Sequence, residues 1–129
     1  MIGATRTKVL LIDDSEMTLE LAAATLQEAG YDVRTSASLG DFDAALGEWR
    51  PDLVLTDVRM PGMSGVELCR FLKSRYETAH VPVVLFSALP LSELEPLARD
   101  CEADGYLSKL SGFESLPGEI AYLLDTALF

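Results

Sequence analysis

Three aspartates, a serine and a lysine each stand at the C-terminal end of a short apolar run. Asp13 and Asp14 follow Val9-Leu10-Leu11-Ile12, and Asp57 follows Leu53-Val54-Leu55-Thr56. Ser87 closes Val83-Val84-Leu85-Phe86, and Lys109 follows Gly105-Tyr106-Leu107-Ser108. In an open parallel α/β sheet, ligands bind at the carboxyl edge of the strands. Three carboxylates gathered there repel one another, so at neutral pH they require a cation or some of them protonate. An all-oxygen set suits Mg2+, which keeps several waters and binds phosphate oxygens. A lysine beside the acids can neutralise their charge at rest and bind a transferred phosphoryl oxygen afterwards. The series reads as a phosphate-accepting acid pocket.

Taken singly, most of these residues have an ordinary explanation. Asp14, just before Ser15, would pass for a turn or helix-cap residue, and Ser87 for a turn residue. A lone lysine is usually solvated, but Lys109 ends an apolar strand on the same edge as the acids. Asp57 is harder to dismiss, because Val58-Arg59-Met60-Pro61-Gly62-Met63 after it reads as a loop rather than a helix start.

The elements that must position these residues alternate five times between strand and helix patterns. Continuous apolar runs such as Leu53-Val54-Leu55 and Val83-Val84-Leu85-Phe86 are expected of parallel strands buried on both faces. Strands are predicted near 8–13, 31–36, 52–57, 82–87 and 104–108. Tyr31-Asp32-Val33-Arg34-Thr35 alternates polar and apolar, as an edge strand with one wet face does. The first helix is predicted from an N-cap at Ser15 to a C′ residue at Gly30, with Leu19, Ala22, Ala23, Leu26 and Ala29 on one face. The second presents Phe42, Ala45, Leu46 and Trp49 and ends before Pro51. The third starts at a capping box, Ser64-Gly65-Val66-Glu67, and buries Leu68, Phe71 and Leu72. The fourth is weak: Pro90 and Pro96 imply a single turn with a new start at Pro96, or a short loose helix. The fifth is predicted over about 114–128, with Ile120, Leu123, Leu124 and Leu128 inward and Pro117 near its start. Five alternations imply a three-layer domain with right-handed crossovers.

Composition narrows the function. At 129 residues the chain fits one domain. A formal charge of −11 argues against binding a nucleic-acid backbone, which needs clustered lysine and arginine. No apolar stretch is long enough for a membrane span, and the N-terminus lacks a signal-peptide core, so a cytoplasmic protein is expected. Residues 1–7 read as a flexible N-terminal arm. Cys69 and Cys101 lack ligand spacing and read as reduced, partly buried thiols, and the single His80 reads as structural.

With Met60-Pro61-Gly62-Met63-Ser64-Gly65 and Pro82-Val83-Val84-Leu85-Phe86-Ser87-Ala88 added to the acid and lysine segments, the chain resembles a receiver domain of bacterial two-component response regulators over essentially its full length. The resemblance implies one receiver domain over 1–129 with a flavodoxin-like (βα)5 sandwich, its parallel sheet in strand order 2-1-3-4-5. It implies that Asp57 accepts a phosphoryl group from a sensor histidine kinase or phosphotransfer protein. Asp14 and Asp57 match direct Mg2+ ligands, Asp13 a ligand through water, and the carbonyl of Arg59 a third protein contact. Ser87 and Lys109 match the phosphoryl-binding positions. Tyr106 matches an aromatic switch that turns inward and remodels the face of the fourth helix, fifth strand and fifth helix toward a downstream protein. Such a chain catalyses only its own phosphotransfer and dephosphorylation. Arg59 and Leu89 match positions that tune phosphoryl lifetime, and they are expected to restrict the attacking water.

One departure stands out. Receivers usually follow the lysine with proline, where this chain has Leu110, so a trans Lys109–Leu110 bond and a rearranged loop are expected. Leu110 is the only support for a second reading, a degenerate receiver acting as a phosphorylation-independent interaction module. A phosphotransferase or phosphatase with an aspartate nucleophile commonly carries an acid where Arg59 stands, and ranks low. Flavin binding is rejected, since Asp13-Asp14 would repel its phosphate. A stand-alone regulator, a relay intermediate and an excised receiver remain open, as does a weak homodimer through the output face.

Overall fold

Every residue of two strands, Leu53–Thr56 and Val83–Ser87, is buried, which is what their unbroken apolar runs require of the middle of a doubly covered sheet. The computed structural model describes residues 6–62 and 64–127. Residues 1–5 of the expected arm, Met63 and Leu128 lie outside the described residues. Five strands, β1 (Lys8–Ile12), β2 (Asp32–Ser36), β3 (Leu53–Thr56), β4 (Val83–Ser87) and β5 (Gly105–Ser108), form one sheet in the order β2-β1-β3-β4-β5. All four pairings are parallel. The expected order is realised.

Successive residues of each strand face opposite layers. Leu10, Ile12, Val54, Val83 and Leu85 join Phe42, Leu68, Leu72 and Leu94 on one side. These belong with α2 (Leu39–Trp49), α3 (Gly65–Ser74) and α4 (Leu91–Asp100). Val9, Leu11, Leu53, Leu55, Val84 and Phe86 join Leu19, Leu26, Leu116 and Ile120 on the other. There the cover is α1 (Glu16–Glu28) and α5 (Leu116–Tyr122). Each fully buried leucine contributes about 1.5–3 kcal/mol. Among the described residues no helix is long and apolar enough to cross a membrane.

The capping signals hold. The Ser15 hydroxyl accepts from the Thr18 amide at 3.3 Å and Ser64 from the Glu67 amide at 3.1 Å, the serine half of the expected capping box; Ser38, not singled out in the sequence, caps the second helix by accepting from the Asp41 amide at 3.2 Å. Gly30 follows the first helix at φ 102°, the left-handed region that favours glycine. On α1, Leu19, Ala22 and Leu26 are buried, while Ala29 is the exposed C-cap.

Three expectations need correction. Phe71 is not buried: the inward face of α3 is centred on Leu68, Cys69 and Leu72, which leaves Phe71 42 % exposed under the Arg75 guanidinium. The fourth helix is neither split nor restarted at Pro96 but runs unbroken from Leu91 to Asp100. Pro96 and Ser92 lie on its exposed side, so the carbonyl that loses an amide partner is on the water-facing face, and buried Leu94 and Ala98 anchor the opposite one. The C-terminal end of α4 is tied to α3 by an Arg70–Asp100 ion pair and by the Cys69 thiol, which donates to the Cys101 carbonyl at 3.3 Å. Both cysteines are free and buried. The fifth helix is regular only over Leu116–Tyr122. A 3-10 turn (Phe113–Ser115) precedes it, Pro117 is its second residue, and a π turn (Leu123–Ala127) follows.

Candidate functional site

Parallel strands that end together bring their trailing residues to one rim. Asp13 follows β1, and its amide donates to the Ser36 carbonyl at 3.2 Å; Asp57 follows β3, and its amide donates to the Ile12 carbonyl at 3.1 Å. Asp13, Asp14 and Asp57 each present a carboxylate oxygen, all within 4.8 Å of one another. Asp13 is buried and Asp14 exposed, so the cluster opens to solvent on one side. Oxygen-only donors with room for water fit Mg2+.

Lys109 supplies the opposing charge. Its ammonium donates to Asp13 Oδ2 at 2.7 Å and lies 3.5 Å from Asp57 Oδ2, with the lysine side chain only 15 % exposed. The Lys109–Leu110 bond is trans, as expected, since no described bond is cis. The loop rearranges into a 3-10 turn (Lys109–Ser111), capped by Ser108 Oγ accepting from the Leu110 amide at 3.0 Å. Leu110 therefore does not prevent Lys109 from reaching the acids.

The other Asp13 oxygen accepts from the Ser15 amide at 2.9 Å, and Asp57 Oδ1 accepts from the Val58 amide at 2.8 Å. Burial raises the Asp57 pKa above its ordinary 3.8; the Lys109 charge opposes this, Asp13 adds to it, and the Val58 amide opposes it. A raised value means that the folded chain holds the proton more tightly than the unfolded one. Stability therefore falls as pH rises from 3.8 through the folded value, and ionised Asp57 is a net burden above that window. In metal-free protein, Asp57→Asn is expected to raise the urea midpoint at neutral pH, with Lys109 still paired to Asp13. The difference from wild type should close as pH drops below 3.8. A lower midpoint for the variant at neutral pH would contradict this.

Ser87 ends β4 and is buried, and its hydroxyl accepts from the Leu89 amide at 3.1 Å. The turn role and the phosphate role are compatible, because that contact leaves the hydroxyl proton free to donate. Tyr106 lies on β5, with its hydroxyl donating to Glu95 Oε2 at 3.0 Å. That bond, more than desolvation, raises the tyrosine pKa. Arg59 is exposed and lines an open groove of about 600 Å3 with Val58, Met60, Gly62, Ser64 and Glu67.

Sequence reasoning missed Gly65. It opens α3, its amide donates to the Val58 carbonyl at 2.8 Å, and a Cβ there would stand 1.9 Å from the Asp57 carbonyl oxygen. The signal was a glycine in the first turn of a helix, a residue type that permits close backbone approach. Glu95 and Phe113 were also missed: Glu95 falls in the weak fourth helix between its two prolines, and Phe113 lies just before the predicted fifth helix, outside every expected element.

The fold and rim have counterparts among known proteins. A family model described as the response regulator receiver domain matches residues 9–121. The polar-differentiation response regulator DivK of Brucella anthropi is 33% identical over 102 residues, 78% of this chain and 82% of that protein. The chemotaxis response regulator CheY4 of Vibrio cholerae superposes with a TM-score of 0.83 at 28% identity, covering 92% of this chain and 99% of that one. A signal receiver domain of a histidine kinase from Syntrophus aciditrophicus gives 0.80 at 29% identity, covering 92% and 90%. Accepting a phosphoryl group, and binding Mg2+ through acidic residues, are general to such domains. Matched over most of its length, the chain belongs to the response regulator receiver domain family.

Proposed function

We propose that this receiver, spanning the chain as one domain, accepts a phosphoryl group on Asp57 from a histidine kinase or phosphotransfer protein in the cytoplasm and thereby changes its affinity for a downstream protein. The observation that carries this reading is the Lys109 ammonium, 2.7 Å from Asp13 and 3.5 Å from Asp57 beside three convergent carboxylates. Asp13, Asp14, Asp57 and the Arg59 carbonyl would hold Mg2+, which when bound offsets the charge of acids and phosphoryl oxygens.

An Asp57 oxygen forms its bond to phosphorus while the bond from phosphorus to the donor nitrogen breaks, the electron pair staying with the imidazole. The Val58 amide holds the Asp57 carboxylate in orientation. Lys109 exchanges its contact with Asp57 for a phosphoryl oxygen, and Ser87 donates to another. As Ser87 moves toward the phosphate, Tyr106 leaves Glu95 and turns inward, changing the face made by α4, β5 and α5. Arg59 and Leu89 restrict the water that ends the signal. The degenerate-receiver alternative loses its one support, since Lys109 reaches the acids with Leu110 in place.

Incubation with acetyl phosphate and Mg2+ is expected to add one phosphoryl group by intact mass, lost with EDTA and in Asp57→Asn. No adduct on wild type, with beryllofluoride also inert, would overturn the reading in favour of phosphate-independent docking.

A further inference from the structure

Lys109 carries a flexible four-carbon stem, and the acids are not its only contacts at the rim. A second set lies on its aromatic side. The ammonium sits 5.8 Å from the centroid of the Phe86 ring, and Phe86 is 4 % exposed. Phe113 meets that ring edge-on, with centroids 6.0 Å apart and planes at 82°. A cation is favoured over an aromatic face, and an edge-to-face partner fixes the orientation of that face.

Phe113 also secures the loop that carries the lysine. Leu110 is 73 % exposed and does not anchor the segment after Lys109; the Ser115 hydroxyl ties it locally, donating to the Ser111 and Gly112 carbonyls at 3.3 and 3.0 Å. Phe113 is the next large apolar residue, packed against the cluster that contains Leu19, Phe86 and Leu116. The segment is thus held at its start by β5 and at its end by the Phe113 ring together with the Ser115 hydroxyl.

The geometry points to Phe113 as a positioning residue for Lys109, bracing Phe86 and the β5–α5 loop so that the ammonium stays at the Asp13–Asp57 pair. This rests on the reading of Asp57 as phosphoacceptor. Phe113 meets Phe86, so its route to the acids runs through that ring and the lysine. A purely structural phenylalanine would lower stability without regard to whether Lys109 is present, and that difference is measurable.

Phe113→Leu keeps an apolar side chain and removes the ring, while Phe113→Tyr keeps the ring. Both are to be compared on the full chain with Mg2+ and acetyl phosphate, alongside the 1H–15N signal of the Lys109 ammonium, assigned with Lys109→Ala. Phe113→Leu is expected to slow phosphorylation about tenfold through misplacement of the lysine, and Phe113→Tyr less than about twofold. In a Lys109→Ala background Phe113→Leu should have no further effect. The ammonium signal, protected from exchange by its pairing with Asp13, should vanish in Phe113→Leu and persist in Phe113→Tyr.

An equal loss of rate in both backgrounds, or an ammonium signal unaltered by Phe113→Leu, overturns the proposal. Should wild type take up no phosphoryl group, the reading of Asp57 fails on its own account, and the ammonium signal still decides the role of Phe113. Should Phe113→Leu not hold its fold, Phe113→Met replaces it with the same expected results.

Discussion

Lys109→Ala is expected to slow phosphorylation of Asp57 by acetyl phosphate about a hundredfold to a thousandfold, with Mg2+ binding retained. The magnitude follows from where the ammonium sits. The side chain is 15 % exposed, and the carboxylate beside it, Asp13, is 4 % exposed, so water screens the charge poorly. As the donor bond breaks, negative charge collects on phosphoryl oxygens within reach of that ammonium, and no other lysine or arginine among the described residues is paired with Asp13 or Asp57. Metal affinity should hold or tighten, because the variant removes a positive charge from the acids without removing a ligand. Lys109→Arg should rescue poorly, since a planar guanidinium is larger and cannot take the same single-point position. Intact-mass time courses at saturating Mg2+ would test this, and a loss below about threefold would show that Lys109 takes no part in stabilising the transferred group.

Gly65→Ala carries the second large expectation. The new Cβ would lie 1.9 Å from the Asp57 carbonyl oxygen, 2.9 Å from its carbon and 3.0 Å from Thr56 Oγ1. None of these atoms can readily give way. Thr56 Oγ1 donates to that carbonyl at 2.9 Å, the Asp57 amide is tied to Ile12, and the Gly65 amide is tied to Val58. The overlap involves backbone on both sides, so the cost belongs at the upper end of overpacking, about 3 kcal/mol or more. Whatever remains folded should have a displaced Asp57 and slow phosphoryl uptake. Gly118→Ala is the contrast: it is helical with nothing within 4 Å of its Cβ, and should be neutral or stabilising by up to about 1 kcal/mol. Urea titrations of the two variants would decide. A loss below about 1 kcal/mol at Gly65 would mean that the start of α3 can shift without disturbing Asp57.

The rim was legible in the sequence because a parallel sheet converts a one-dimensional pattern, apolar run then polar residue, into a common edge. Asp13, Asp57, Ser87 and Lys109 could be named from that rule alone. The doubly buried β3 and β4 were equally plain, and so were the Ser15 and Ser64 caps, whose hydrogen bonds are local. Contacts set by tertiary packing were not legible. The spacing of Phe71 from Leu68 and Leu72 suits a buried face, yet the helix turns it outward by resting on Cys69 instead. The proline in α4 was read by its local cost, and the buried Leu94 and Ala98 that hold the helix together are visible only in three dimensions. Gly65, Glu95 and Phe113 matter through atoms far from them in sequence: the Asp57 carbonyl, the Tyr106 hydroxyl and the Phe86 ring.

The uneven fastening of α4 has a mechanical result. Its last turn is clamped to α3 through Arg70–Asp100 and Cys69–Cys101, while its first residue follows Pro90 with no side-chain cap and leaves Leu91 56 % exposed. A tilt of this helix would therefore have its fulcrum near Cys101 and would work against the packing of buried Leu94. Its ten residues span about 15 Å, so a tilt of a few degrees at the fulcrum moves the Leu91 end by about 1 Å and the clamped end hardly at all. Glu95 sits partway along this arm, so its hydrogen bond with Tyr106 acts inside the tip, where a small displacement is magnified towards Leu91. The largest displacement in such a tilt would fall at the tip, beside the loop that follows Ser87.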